Sequence, residues 1–143
     1  MNTLLELAVA AHGGLDRWHS YSRISLELSV GGVLWELKGQ TELFANSTYQ
    51  AETHMQRATL GRFGAADRHV RFTPDRLVLE TDAGEVIEVR DNSRGAYADH
   101  TNETPWDRLH AAYFNGDALW TYPSHSMQAD RGLRRGARAE PHA

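Results

Sequence analysis

Short runs of alternating apolar and polar residues, separated by turn sequences, restrict this chain to a sheet made largely of local antiparallel pairs. The clearest run spans residues 77–89. Its loop is predicted to be Asp82-Ala83-Gly84, with Gly84 in the left-handed conformation. The resulting register places apolar residues opposite one another on one face, Leu79 with Ile87 and Leu77 with Val89, and sets Thr81 opposite Glu85 beside the loop.

A second hairpin is predicted over residues 24–38, where the alternation changes phase at Gly31-Gly32. Both central positions of a two-residue hairpin turn need positive φ, which glycine supplies. Three apolar pairs would then share one face of the hairpin: Val30 with Val33, Leu28 with Trp35, and Leu26 with Leu37.

The middle of the chain is less regular but remains strand-like. Residues 47–63 predict one long strand or a bent pair, and residues 69–72 predict a short strand closed by a turn at Thr73-Pro74-Asp75-Arg76. Residues 91–103 are polar and rich in turn formers, so they predict a surface loop in which Tyr97 is the one obvious packing residue.

Two helices flank this strand region. Thr3 and Glu6 have the spacing of a capping box, and Gly13 ends the first helix. The second helix is predicted over residues 105–114, with Thr104 as its cap, Asp107 completing a capping box, and Asn115-Gly116 ending it. The order of elements predicts an α+β fold, a curved antiparallel sheet (a partial half-barrel) with the N-terminal helix and this second helix packed on one face.

Length and composition narrow the function classes. The 143 residues, 41% of them apolar, suit a single domain, and the net charge of -4 argues against a nucleic-acid partner. The absence of cysteine removes thiolate chemistry and cysteine-bound metal. We expect no transmembrane segment and, without an export signal, a cytoplasmic location.

The C-terminal end differs from the rest. Residues 123–143 contain four Arg but only Met127 and Leu133 as large apolar residues. Such a segment buries too little surface to offset the entropy of ordering. We therefore predict one α+β domain over residues 1–122, followed by a disordered arginine-rich tail over residues 123–143.

Several short motifs occur together in a recognisable order. They are His12-Gly13-Gly14-Leu15-Asp16-Arg17-Trp18, Gly32-Val33-Leu34-Trp35 with Lys38-Gly39, Phe72-Thr73-Pro74-Asp75-Arg76, Arg90-Asp91, Thr104-Pro105-Trp106-Asp107 with Leu109-His110, and Tyr113-Phe114. Over residues 3–122 the set resembles an uncharacterised family of longer bacterial proteins. That family's sheet is in turn similar to the half-barrel of the LolA-like lipoprotein carriers, in which a concave apolar face binds acyl chains.

The resemblance stops near Tyr122, where members of the family continue with further strands. The hypothesis is that this chain is a truncated or frame-shifted member, with its tail read out of the ancestral frame. The resemblance transfers no catalytic residues, and the missing export signal argues against lipoprotein transport across a periplasm.

Eight histidines invite a metal-site interpretation, but none forms a His-x-x-x-His pair. The closest arrangement is Asp107 with His110, three residues apart, which His12 or His100 would have to complete. The simpler interpretation is that Asp107 caps a helix and His110 packs against it. We therefore predict no metal and no cofactor.

Aromatic residues give the better functional indication, because they approach the apolar face of the sheet from several elements. A curved sheet with few covering helices leaves concave apolar surface, which is typical of ligand sites. The predicted ligand-binding residues are Leu28, Trp35, Leu37, Trp106, Leu109, His110, Tyr113 and Trp120.

The leading hypothesis is a module that binds an apolar small molecule or lipid without catalysis. One alternative is an enzyme, a hydrolase or a metal-dependent one, that uses His110 and Asp107 in the concave pocket. A second is a truncated fragment without an independent function, whose open sheet edge would support a homodimer.

Overall fold

The computed structural model describes residues 13–125 and 137–141, together with Leu4, Leu7, Ala10 and Ala11 of the N-terminal segment. These four residues are helical, whereas the rest of the predicted first helix lies outside the described residues. The helices that follow are α1 (Leu15–His19), α2 (Val33–Leu37) and α3 (Arg108–His125), with a 3₁₀ turn at Gly95–Tyr97. Among the described helices none is long and apolar enough to cross a membrane.

Six strands form an antiparallel meander: β1 (Tyr21–Leu28), β2 (Ser47–Glu52), β3 (Ala58–Gly61), β4 (Arg68–Phe72), β5 (Arg76–Thr81) and β6 (Val86–Asp91). A seventh strand, β7 (Ala137–Pro141), pairs with the outer edge of β1. Over the described residues the sheet is open, with β6 at one edge. The predicted α+β fold with a curved antiparallel sheet is confirmed.

The inner face of the sheet carries the core. Alternate strand residues point toward α3 and are almost fully buried, among them Tyr49, Leu60, Val70, Phe72, Leu77 and Leu79. The opposite face, called the outer face below, carries mainly polar residues along β2, β3 and β4. This arrangement is the usual one for an antiparallel sheet covered on one side.

The predicted hairpin over residues 24–38 is wrong in its second arm, because residues 33–37 form α2 instead of a strand. Five residues of apolar alternation fit one helical turn as well as a strand. In the helix Trp35 is 4% exposed while Leu37 is 69% exposed. The helix therefore buries the largest side chain of this segment in the core. The partner of β1 is β2, in a register that sets Leu26 opposite Tyr49.

The predicted hairpin over residues 77–89 is confirmed at its loop and corrected in its register. Gly84 has φ 93°, and the Thr81 N–H donates to the Glu85 carbonyl at 2.9 Å. Beyond the loop, a β-bulge at Ile87 shifts β6 by one residue. Glu80 still pairs with Val86 in the predicted register, and the shifted pairs are Leu79 with Glu88, Val78 with Val89 and Leu77 with Arg90.

The bulge decides which β6 side chains face inward. Cross-strand partners point to the same face of a sheet, so Glu88 and Arg90 share the inner face with Leu79 and Leu77. Ile87 still packs against the core, whereas Val89 lies on the outer face. Two charged residues therefore lie beside α3, where the sequence predicted an apolar pair.

The remaining predicted segments need smaller corrections. Residues 47–63 form the bent pair, as β2 and β3, and the turn at residues 73–76 is closed by hydrogen bonds between the backbones of Thr73 and Arg76. Helix α3 begins at Arg108, three residues later than predicted, and continues through Gly116. Of the predicted tail, residues 123–125 belong to α3 and residues 137–141 form β7, while the others lie outside the described residues.

Gly116 does not end α3 because the helix approaches the sheet at this residue. A Cβ built there would lie 2.7 Å from Cδ2 of Phe72, a side chain with no exposed surface. The Tyr49 hydroxyl also donates to the Gly116 carbonyl at 3.3 Å. The glycine thus lowers helix propensity but allows close packing on β2 and β4.

We expect Gly116→Ala to destabilise the protein by about 1 to 3 kcal/mol, because the methyl group would overpack the Phe72 ring. Helix propensity alone predicts the opposite sign, a gain of about 1 kcal/mol. Urea unfolding followed by circular dichroism measures the difference. Gly31→Ala is the matched control, since no atom lies within 4 Å of the added carbon, and its effect should stay within about 0.5 kcal/mol. A stabilised Gly116→Ala variant would contradict the packing described here.

Candidate functional site

An aromatic cluster lies at the inner face of the sheet and is built from α2, the loop before α3, and α3 itself. Its members are Trp35, Tyr97, Trp106, Tyr113 and Phe114. The Trp106 ring lies 5.1 Å from the Phe114 ring, and 5.8 Å from the Tyr97 ring in an edge-to-face arrangement. The Tyr113 ring lies 5.8 Å from Phe72 of the core, which joins the cluster to the sheet.

One side of the aromatic cluster borders an open groove with a volume of about 370 Å³, called the aromatic groove below. Its lining residues are Arg94, Tyr97, Ala98, Tyr113, Phe114 and Asp117. Phe114 is 40% exposed, an unusual exposure for a phenylalanine on a helix that packs on a sheet. Three aromatic rings therefore meet solvent in a concavity.

Ion pairs with β6 hold the start of α3. Arg90 donates to both carboxylate oxygens of Asp107, at 2.9 and 2.5 Å. Arg108 donates from Nε to Oε2 of Glu88 at 2.7 Å. Both β6 residues reach α3 only because the bulge at Ile87 turns them inward. The bidentate arginine–carboxylate pair fixes both distance and orientation.

Asp107 and His110 form a reciprocal cap at the first turn of α3. The His110 N–H donates to Oδ1 of Asp107 at 2.8 Å, and the Asp107 N–H donates to Nδ1 of His110 at 3.1 Å. This is the geometry of a capping box, with histidine in the place of the usual glutamate. The predicted box of Thr104 and Asp107 is replaced by one that starts three residues later.

The cap also fixes the hydrogen position on the His110 ring. Nδ1 accepts from a backbone amide, so Nε2 carries the hydrogen and donates to the Ala96 carbonyl at 3.3 Å. Tyr97 completes the contact by donating its hydroxyl to the His110 carbonyl. The neutral ring thereby joins α3 to the 3₁₀ turn that carries Tyr97.

The pKa values of the cap residues follow from this geometry. Desolvation lowers the pKa of His110 below its ordinary 6.5, against the opposing effect of the Asp107 charge. Desolvation would raise the pKa of Asp107, but hydrogen bonds from Arg90 and from the His110 N–H outweigh it and hold that pKa below 3.8. At neutral pH the pair is therefore an aspartate beside a neutral histidine.

Lys38, the single lysine of the chain, holds the loop that leads into α3. Its amino group donates to the carbonyls of Asn102 and Thr104, at 2.7 and 3.0 Å, and lies 5.3 Å from the centre of the Trp106 ring. The residue is 6% exposed. Its buried charge is stabilised by carbonyl dipoles and an aromatic face, so it positions Trp106 in the aromatic cluster.

The structure brings together some of the predicted ligand-binding residues. Trp35, Trp106, His110 and Tyr113 lie in or beside the aromatic cluster, and of these Tyr113 lines the groove. Leu109 is fully buried, Leu28 packs against the core, and Leu37 is exposed on α2. Trp120 lies over β2, where Nε1 donates to the Glu52 carbonyl at 3.1 Å.

The sequence analysis missed the groove residues Arg94, Tyr97 and Phe114 as ligand contacts. Tyr97 carried a usable signal, since it is the one large aromatic residue in an otherwise polar loop. The chemistry open to Asp107 and His110 is limited by the cap, because both ring nitrogens and both carboxylate oxygens already have partners. Either residue would have to break the cap to act as an acid or base.

His100 lies beside this pair without making a metal site. Its ring centre is 4.6 Å from that of His110, and its buried Nδ1 has no hydrogen-bond partner within the described part of the chain. His12 lies outside the described residues. Among residues with assigned positions, no group of three or more histidines and carboxylates could hold a metal ion.

Comparison with known proteins leaves the site to be judged on its geometry. No protein family, curated protein or solved structure matches this chain.

We expect the free energy of unfolding to fall as the pH is lowered from 7 through 6.5, because the unfolded chain then binds a proton that folded His110 does not. The loss should level off once the pH is below the lower pKa of the folded state. Urea unfolding between pH 5 and 8 measures the slope. His110→Gln should flatten it, because glutamine does not titrate in this range and can replace histidine in the cap. An equal slope in the wild-type and His110→Gln proteins would contradict the neutral capping histidine.

Proposed function

We propose that this protein is a binding module, without catalysis of its own, for a small amphipathic ligand that combines an acyl chain with an anionic head. The single observation that carries the proposal is the aromatic groove, in which Tyr97, Tyr113 and Phe114 meet solvent in a concavity of about 370 Å³. That volume falls in the range of small-molecule sites, about 300 to 1,000 Å³.

The apolar part of the ligand would lie against the aromatic rings. Phe114 packs edge to face on Trp35 at 6.1 Å and in a tilted arrangement on the Trp106 ring at 5.1 Å, while part of its own ring stays exposed. An acyl chain that covers this surface removes apolar area from water without reordering the protein. Because the site is preformed, binding does not require the protein itself to be ordered.

The charge in the groove supports an anionic head group. Arg94 makes no ion pair with any residue whose position is described, whereas Asp117 already accepts a hydrogen bond from Nε2 of Gln56 at 2.7 Å. Arg94 is the one cation among the lining residues, so its guanidinium is the group that would pair with the carboxylate of a ligand. Arg94 and the rings line the same groove, so one ligand can contact both.

Three further proposals concern the family, the location and the assembly of the chain. The motif set supports membership in the uncharacterised bacterial family related to LolA-like carriers. The cytoplasmic location expected from the sequence is kept as a proposal. The outer edge of β6 has no partner strand among the described residues, and a homodimer through that edge is the assembly we propose.

Isothermal titration of the full chain with decanoate tests the proposal. We expect saturable binding with one ligand per chain, weakened at least tenfold by Phe114→Ala because the variant removes the exposed ring. Val86→Ala is the matched control, since it removes an exposed apolar side chain from β6, outside the groove. Binding that is absent, or unchanged in Phe114→Ala, would overturn the site.

Arg94→Gln separates the two parts of the ligand. We expect it to weaken decanoate binding several-fold and to leave decanol binding unchanged, because only decanoate carries the charge that pairs with the guanidinium. An equal loss for both ligands would show that Arg94 acts through packing, and the anionic head group would then be withdrawn from the proposal.

A further inference from the structure

A second groove, of about 270 Å³, lies on the outer face of the sheet and shares no lining residue with the aromatic groove. It is lined by Thr48, Gln50, Thr59, Gly61, Arg62, Ala66, His69 and Asp82. These residues carry hydroxyl, amide, guanidinium, imidazole and carboxylate groups and no large apolar side chain. The lining of this outer groove is therefore polar, whereas aromatic rings make up much of the lining of the aromatic groove.

The sheet register builds the floor of the outer groove. Thr48, Gly61 and His69 stand opposite one another on β2, β3 and β4. Gly61 has no side chain, and the Thr48 hydroxyl occupies the space that a Cβ would take there. Glycine inside a strand marks a place where another group approaches the backbone closely. Gln50 and Thr59 form the adjacent row and add an amide and a hydroxyl.

Arg62 forms one wall because its backbone is left-handed, with φ 51°. Strand alternation from Leu60 would turn residue 62 inward, but the left-handed residue resets the phase, so that Phe63 is buried and Arg62 lines the outer groove. Its Nε is buried and has no hydrogen-bond partner among the described residues. Nη2 lies 4.0 Å from Oε1 of Glu27, too far for a hydrogen bond.

The acidic groups near the outer groove are already paired. Asp82 and Glu80 face the two ring nitrogens of His69 at 2.8 and 2.9 Å, and Arg71 donates to Glu80 at 2.7 Å. Among the described residues, the Arg62 guanidinium is held only by its 4.0 Å ion pair with the exposed Glu27 and by no hydrogen bond at Nε, and its Nε and Nη2 edge matches the two oxygens of a carboxylate. The threonine hydroxyls and the Gln50 amide match hydroxyl groups.

We propose that the outer groove binds a small carboxylate that carries several hydroxyl groups, such as a sugar acid. The carboxylate pairs with the Nε and Nη2 edge of Arg62, and the hydroxyls exchange hydrogen bonds with Thr48, Gln50 and Thr59. The proposal is independent of the acyl-ligand function, because the two grooves lie on opposite faces of the sheet.

Isothermal titration of the full chain with three probes tests this site: D-gluconate, D-glucitol, which has the hydroxyls but no carboxylate, and acetate, which has the carboxylate alone. We expect gluconate to bind at least tenfold more tightly than either of the others. Gluconate that does not saturate the protein, or that binds no more tightly than acetate, would overturn the proposal and leave the outer groove a solvated polar surface.

Variants locate the binding. Arg62→Asn should weaken gluconate binding at least tenfold, and asparagine tolerates the left-handed backbone, so the fold should be kept. Thr59→Val, nearly isosteric on its strand, should also weaken it by removing one hydroxyl. Arg57→Gln, at an exposed arginine paired with Glu52 outside the groove, is the control and should bind as the wild type does. Undiminished binding in both Arg62→Asn and Thr59→Val would overturn the assignment.

Discussion

The pairing of Arg90 with Asp107 is the contact on which the arrangement of the helix side depends. It joins the edge strand β6 to the first turn of α3 through two parallel hydrogen bonds, and Glu88 with Arg108 adds a second ion pair. Both depend on one extra residue in β6, because without the bulge at Ile87 the inward positions would be Ile87 and Val89. A local irregularity in the sheet thus sets the place where the helix begins.

From that fixed start, α3 determines the aromatic groove. Gly116 brings the helix onto Phe72, and the same helix carries Tyr113 and Phe114 to the groove wall. The capping His110 fastens the opposite wall, since its ring and carbonyl hold the 3₁₀ turn that presents Tyr97. The hydrogen-bonded start of α3 therefore also joins the two walls of the aromatic groove. This is why residues that look like an acid–base pair in the sequence act as positioning groups in the structure.

The sequence predicts the local elements well where alternation and turn chemistry agree, as in the loop at residues 82–84 and the turn at residues 73–76. It fails where tertiary packing decides between two local solutions. The apolar pattern of residues 33–37 is compatible with both a strand and a helical turn, and the burial of Trp35 favours the helix. In the sequence Gly116 predicts a helix end, whereas in the structure it allows the helix to pack on Phe72. Within the site, Trp106 and Tyr113 follow from the pattern of residues 105–114, whereas Arg94 and Tyr97 depend on how a polar loop folds back on α3.

The central claim, that the inner side of the sheet presents an acyl site beside α3, is tested most directly by nuclear Overhauser effects between bound decanoate and the isotope-labelled protein. The account predicts contacts from the methylene protons to the rings of Tyr97, Tyr113 and Phe114. The carbon next to the carboxylate should lie near Arg94. Contacts confined to the outer face, or to the exposed apolar residues of α2, would contradict it.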